Sequence, residues 1–495
     1  MAKIGFDNDK YLKMQSERIK ERISHFGKLY MEFGGKLFDD FHASRVLPGF
    51  LPDSKLKMLL SLKDEAELLV VINANDIISN KVRSDLGISY DQDVLRLIDA
   101  FRSVDLYVGS VVVTQYVQSA DVDSFMARLE GLGIKVYKHY TIKGYPSDVE
   151  YIVSDEGFGK NDYVETTRNL VVVTAPGPGS GKMATCLSQL YHENKRGVKA
   201  GYAKFETFPV WNLPLKHAVN IAYEAATADL NDVNMIDPFH LEAYGTLAVN
   251  YNRDVEIFPV LSATFNKIWG ECPYKSPTDM GVNMAGYCIF DNDAVTAASE
   301  QEIIRRYYSA KCRHLQNGEN NENEIYKIEL LLKQANISIE KRPVIKAALE
   351  KAEENSMPAT ALELPDGRIV TGKTSSLLGS SAAMLLNALK ALGDIPDDEP
   401  LISPSIIEPV QHLKIDHLGN SNPRLHTDEV LVALSICAVS SPVAEHAMEQ
   451  LNKLKGCEMH STVLLANVDY TTLKRLGIRI TCEPKYQTKK LYHAK

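Results

Sequence analysis

The feature that most constrains the fold is a series of short Val-, Ile- and Tyr-rich runs separated by segments of helical period. In order they are KLYMEF (28–33), ELLVVINAN (67–75), GSVVVTQY (109–116), IKVYKHYTI (134–142), NLVVVTAP (169–176) and YAKFETFPVW (202–211). Near-continuous apolar runs of this length read as strands buried on both faces. The intervening YDQDVLRLIDAFRSV and ADVDSFMARLEGLG have the composition and spacing of helices. Alternating strands and helices imply a mainly parallel sheet covered on both sides, because each parallel connection must cross over the sheet. Residues 1–270 are therefore expected to form a three-layer, mainly parallel α/β region, opened by a helix over 11–28.

Further along, the pattern changes twice. From Ala294 to about Asn355 the segments are helical in period, interrupted by the polar run NGENNENE (317–324), so 271–355 is expected to be a small helical domain. Strands restart in ATALELPDGRIVTGK, where Pro-Asp-Gly between two alternating segments signals a hairpin. The helix SSAAMLLNALKALG, the single long helix TDEVLVALSICAVSSPVAEHAMEQLNKLKG, the strand MHSTVLLA and the strand IRITCEP complete an α/β module over 356–495. This module resembles the cytidine-deaminase fold. A zinc deaminase would place His or Cys followed by Glu, and later Pro-Cys-x-x-Cys, where this chain has TSSLLGSSAAM and CAVSSPVAEHA. The resemblance therefore implies a module without the zinc ligands.

The 495-residue chain supports several cores, and its 45% apolar and 24% charged content is ordinary for a globular protein. A formal charge of −9 argues against a main role in gripping nucleic acid. The charged N-terminal stretch lacks a signal-peptide core, and no apolar run approaches the roughly 18 residues of a membrane span. Seven cysteines without a C-x-x-C pair fit reduced thiols. A cytoplasmic location is expected, with neither nucleic acid nor membrane as partner; a homo-oligomer is compatible with these features.

One loop carries the strongest functional signal. After VVVT, the segment Pro176-Gly177-Pro178-Gly179-Ser180-Gly181-Lys182-Met183 leads into a helical stretch, the strand-turn-helix context of a phosphate-binding P-loop. Gly177, Gly179, Ser180 and Gly181 would offer N–H donors and Lys182 a mobile charge. Two positions depart from G-x-x-x-x-G-K-[ST]. Pro176 stands at the first glycine, and Met183 replaces the magnesium-binding hydroxyl. The loop is thus P-loop-like and degenerate, with a structural turn as the alternative. Magnesium, if used, would fall to Asp76, another carboxylate or phosphate oxygens. A literal match, Gly367-Arg-Ile-Val-Thr-Gly-Lys-Thr374, is assigned instead to the hairpin.

Other candidates are weaker. Gly34-Gly35-Lys36 follows the first strand, with His42, Ser44 and Arg45 close behind, either as a ligand loop or as a turn and a solvated helix. Asp76 ends the second strand, where parallel sheets place ligands, but it could equally cap the next helix. Lys36, His42, Arg45 and Asp76 are therefore the catalytic candidates. His412, His417, His426 and Asp428 crowd a stretch read as loop-rich and are weak metal candidates, since their spacing matches no zinc pattern and Thr427 or Asp428 could be a helix cap.

Taken together, VVVTAPGPGSGKMATCLSQLYHE, LELPDGRIVTGKTSSLLGSSAAMLLNALKALG and GCEMHSTVLLANVDYTTLKRLGIRITCEPKY resemble the bacterial family called domain of unknown function 1846, or uncharacterised protein family 0371. The resemblance implies a cytosolic protein with α/β, helical and α/β parts, and brings no reaction or catalytic residues with it. Some relatives bear the label of an ATP-dependent zinc protease, yet no H-E-x-x-H occurs here. The leading expectation is an enzyme that binds a nucleotide or other phosphorylated small molecule on the Gly177–Lys182 loop. A non-catalytic ligand-binding or assembly protein is the first alternative and a metal-dependent hydrolase the second.

Overall fold

The computed structural model describes residues 3–34, 37–38, 40–83, 86–318 and 321–487. They form two compact units, one of Ile4–Glu224 with Asp232–Thr296, the other of Ala225–Asn231 with the chain from Ala297 onward.

The first unit is built on a seven-stranded sheet: β1 Lys28–Phe33, β2 Ala66–Asn73, β3 Val108–Thr114, β4 Lys135–Lys138, β5 Leu170–Thr174, β6 Ala200–Phe205 and β7 Gly281–Val282. Every pairing is parallel, and the spatial order is 7-6-1-5-2-3-4. β2 and β5 are buried at every position, which explains their unbroken apolar runs. Helix Asn8–Phe26 lies against β1 and β6, where Gly201 leaves room for it: a Cβ there would stand 2.3 Å from the Phe26 ring. The opposite face of β1 meets helix Lys182–Lys195, whose Glu193 accepts a 2.6 Å hydrogen bond from the Tyr30 hydroxyl. Tyr30, Glu32, Tyr202 and Lys204 share that face by their register.

The strand order sets where a crevice opens. The connection leaving β5 passes to β6 on one side, while the one leaving β2 passes to β3 on the other. Right-handed crossovers place the two helices on opposite faces, so their starts part beyond the carboxyl ends of β5 and β2.

The second unit has a four-stranded mixed sheet, with β8 Ala359–Glu363, β9 Ile369–Lys373, β10 Glu458–Ser461 and β11 Arg479–Cys482 in the order 9-8-10-11. β8 pairs antiparallel with β9 and β10, and β10 pairs parallel with β11. Helices Ser380–Leu392 and Pro343–Asn355 pack on the β8–β9 hairpin. The literal P-loop match lies in this hairpin. Gly367 takes φ +87° in the turn, and Gly372 sits inside β9, where a Cβ would meet the Met384 backbone nitrogen at 2.1 Å.

Two local expectations are corrected. The long helix expected from Thr427 breaks into Thr427–Ala438 and Pro442–Glu449, because Pro442 cannot continue a helix and instead starts one with Ser441 as its N-cap. The stretch from His412, expected to be loop-rich, opens instead with the end of helix Pro404–His412 and a π-helical turn over Leu413–His417, and only 418–426 run as loop. Among the described residues no helix is long and apolar enough to cross a membrane.

Candidate functional site

The Ala175–Gly181 loop leaves β5, leans across the carboxyl ends of β2 and β3, and enters helix Lys182–Lys195. The carbonyls of Gly179 and Ser180 are turned into the protein. Thr114 Oγ1 donates to Ser180 O at 2.7 Å, and Asn73 Nδ2 to Gly179 O at 3.3 Å. Ser180, fully buried, donates from its hydroxyl to Gly177 O at 2.8 Å. Gly179 and Gly181 adopt φ of +76° and +88°, and a Cβ on Gly181 would stand 3.0 Å from the Thr114 side chain. These two glycines allow the chain to reverse tightly enough for its carbonyls to reach their donors. The N–H groups of Gly177, Gly179, Ser180, Gly181 and Lys182 find no acceptor among the described residues, and the helix has no side-chain N-cap. Adjacent unpaired donors at the start of a fourteen-residue helix form the arrangement that attracts anions elsewhere.

Beside the loop stand charges carried by the ends of β1 and β6. Lys182 Nζ lies 3.9 Å from Glu32 Oε1 near the end of β1, and the Tyr202 hydroxyl donates to Glu32 Oε2 at 2.9 Å. Next to them Lys204 pairs with Glu206 Oε1 at 2.8 Å and with Asp254, in the first turn of helix Asn252–Trp269. Burial works against the Lys204 ammonium, but Asp254, Glu206 and Glu32 outweigh it and raise its pKa. For Glu206 burial dominates; with Asp254 adding to it and Lys204 opposing, the carboxyl is pushed up to about 7. A carboxyl poised there can take or give a proton near neutrality. Cys186 on helix Lys182–Lys195 is fully buried and its thiol is held well above the usual range by that burial, so it supplies no thiolate.

The raised Glu206 makes a testable statement about stability. A folded-state pKa above the unfolded value near 4.5 means that folding favours the protonated form, so stability falls as pH rises from the unfolded value through about 7. Glu206→Gln removes this loss. In urea unfolding the variant should gain roughly 2 kcal/mol on wild type between about pH 5 and about pH 8; a pH-independent difference would contradict the assignment.

The remaining candidates are dispersed. Lys36 lies outside the described residues. His42, in helix Phe41–Val46, packs edge-on against Phe208 and Tyr223 at ring separations of 5.3 and 5.4 Å, and Arg45 follows half-buried on the same helix. Asp76 pairs with Lys81 at 3.1 Å; the N-cap of its helix is Asn73, whose side chain accepts from Asn75 N–H. In the second unit His412 pairs with Asp416 at 3.1 Å, and His426 with Asp469 at 2.8 Å. His426, rather than Thr427 or Asp428, holds the N-cap position of Thr427–Ala438, with Glu429 accepting from its N–H at 2.8 Å. His417 closes the π-helical turn. Among the described residues no three His, Cys, Asp or Glu side chains are grouped to hold a metal ion.

Glu32, Lys204 and Glu206 were legible in principle. KLYMEF and YAKFETF place ionisable residues in or just after otherwise buried parallel strands, at the carboxyl ends, and such groups are seldom there without a partner.

These features define a mixed α/β protein whose first unit carries a parallel sheet with loop amides unpaired beyond its carboxyl edge. The chain belongs to the family described as domain of unknown function DUF1846, whose N-terminal model matches residues 4–336 and whose C-terminal model matches residues 340–492. It is 58% identical over 497 residues to a UPF0371 protein of Streptococcus sanguinis, covering 99% of this chain and all of the relative. UPF0371 proteins of Streptococcus uberis and Streptococcus equi subsp. zooepidemicus are each 57% identical, over 99% and 100% of this chain and the whole of each relative.

Proposed function

We propose that the first unit binds a phosphorylated small molecule, with the phosphate on the amides of Gly177, Gly179, Ser180 and Gly181 and with Lys182 as counter-charge. The observation that carries this reading is the polarity of the loop: its carbonyls are tied back by Thr114 and Asn73 while its N–H groups are left without acceptors. Unpaired donors are costly unless water or a ligand takes them, and a helix start favours an anion. Met183 provides no hydroxyl for magnesium, so anion binding is favoured over magnesium-dependent nucleotide hydrolysis. Glu206, close to neutrality in its pKa, is the group best suited to move a proton on such a ligand.

Calorimetric titration with inorganic phosphate, ATP, GTP, NAD and sugar phosphates, with and without magnesium, tests the reading. At least one should bind wild type, and Lys182→Ala should weaken it by roughly 10- to 100-fold, the usual effect of losing one charge-assisted contact. If none binds, or if Lys182→Ala binds them all unchanged, the reading fails.

A further inference from the structure

A partly open apolar cavity of about 120 Å³ lies beside the first turn of helix Lys182–Lys195. Its walls include Met183 and Leu187 from that helix, Val260 and Leu261 from helix Asn252–Trp269, and Tyr145 and Phe158 from the segment before β5. The Thr264 hydroxyl, the other polar group of the wall besides that of Tyr145, is already taken, donating to Val260 O at 2.9 Å. An apolar lining of this kind accepts hydrocarbon in preference to polar groups; an apolar cavity of ~150 Å³ holds a benzene ring. A sugar or nucleobase placed here would leave its polar groups without partners.

Met183 joins this cavity to the loop. It follows Lys182 directly, so the cavity wall begins within one helical turn, ~5 Å, of the unpaired amides. At the other side Tyr145 keeps 41% of its surface exposed, while burial of its hydroxyl and the nearby Glu32 carboxylate push its pKa up to about 12. The Tyr145 hydroxyl thus feels the field of the same carboxylate that Lys182 approaches.

We infer that this cavity holds the hydrocarbon part of the ligand, and that the ligand class is a phosphate ester of a small aromatic or short branched alkyl group rather than a sugar phosphate or nucleotide. The inference rests on the phosphate reading of the loop and adds to it what the rest of the ligand is. The methionine then acquires a positive role, as the apolar wall where a magnesium-binding P-loop has its hydroxyl.

The test is calorimetry on the full chain with inorganic phosphate, phenyl phosphate and a hexose phosphate. Phenyl phosphate should bind roughly 10- to 100-fold more tightly than inorganic phosphate, the gain expected for burying one ring, and the hexose phosphate should show no such gain. Val260→Phe and, separately, Ile257→Phe fill the cavity from two half-buried wall positions and should bring the ratio of phenyl phosphate to inorganic phosphate affinity down to about one. Inorganic phosphate binding with an equal affinity for phenyl phosphate would overturn the inference and leave the loop reading standing. So would a tighter phenyl phosphate whose advantage survives in either folded variant, since the ring would then sit elsewhere. If neither phosphate nor phenyl phosphate binds, the inference fails; the loop reading fails with it only if ATP, GTP, NAD and the sugar phosphates do not bind either.

Discussion

Glu458→Gln should destabilise the second unit by about 3–5 kcal/mol, the cost of removing one partner from a buried ion network. Glu458 Oε2 accepts from Arg342 Nη1 at 2.5 Å, and Oε1 accepts from Arg305 Nη1 at 2.6 Å and Arg479 Nη1 at 3.2 Å. Arg342 is only 1% exposed, the largest side chain buried to that degree, and its other donors reach Met459 O, Arg479 O and Thr481 Oγ1 at 2.8–3.0 Å. Glutamine would keep the shape and lose the charge. Burial pushes the Glu458 carboxyl up, but the three guanidiniums outweigh it and hold it down at about 2. The stabilisation is therefore fully present above the unfolded value near 4.5 and is lost as pH falls toward 2. Urea unfolding followed at about pH 7 and about pH 3 checks both statements: the gap between wild type and variant should narrow in acid. Equal stability at neutral pH would remove the network from any account of what holds this unit together.

Gly372→Ala should cost about 3 kcal/mol or more, at the upper end of overpacking penalties. The added methyl would meet Met384 N at 2.1 Å, Met384 Cα at 2.6 Å and Ser380 O at 2.6 Å. These are backbone atoms of helix Ser380–Leu392, so rotamer changes offer no relief and strand and helix must separate. Gly367→Ala meets no neighbouring atom and bears only the strain of φ +87°, about 1–2 kcal/mol. A thermal denaturation series of the two variants should rank them in that order; the reverse would mean that β9 is not seated under the helix as described.

This comparison also shows why a literal phosphate-loop match here is a structural signature. Both of its glycines have packing or turn reasons, and IVT between them is strand. The hairpin was legible because Pro-Asp-Gly and strand alternation are local signals. The seven-strand order was not, since β1 pairs with β5 and β6, which lie more than a hundred residues away in the chain. The phosphate-like loop could be read from its residues, but its clamps could not. Asn73 and Thr114 belong to other strands, and nothing near them in sequence announces Gly179 or Ser180 as a partner. Glu32, Lys204 and Asp254 come together for the same non-local reason. The break before Pro442 was local and readable: Ser441-Pro442 is an N-cap followed by the residue best tolerated at the first helical position.

The clamping of Gly179 and Ser180 carries a further consequence. A glycine-rich loop ordinarily has much conformational freedom to lose when it closes on a ligand. Here that freedom was given up when the chain folded, because side chains from two neighbouring strands fix the loop's carbonyls in place. A phosphate arriving at these amides would meet a finished surface, and its capture would be a matter of collision and water displacement rather than of rearrangement.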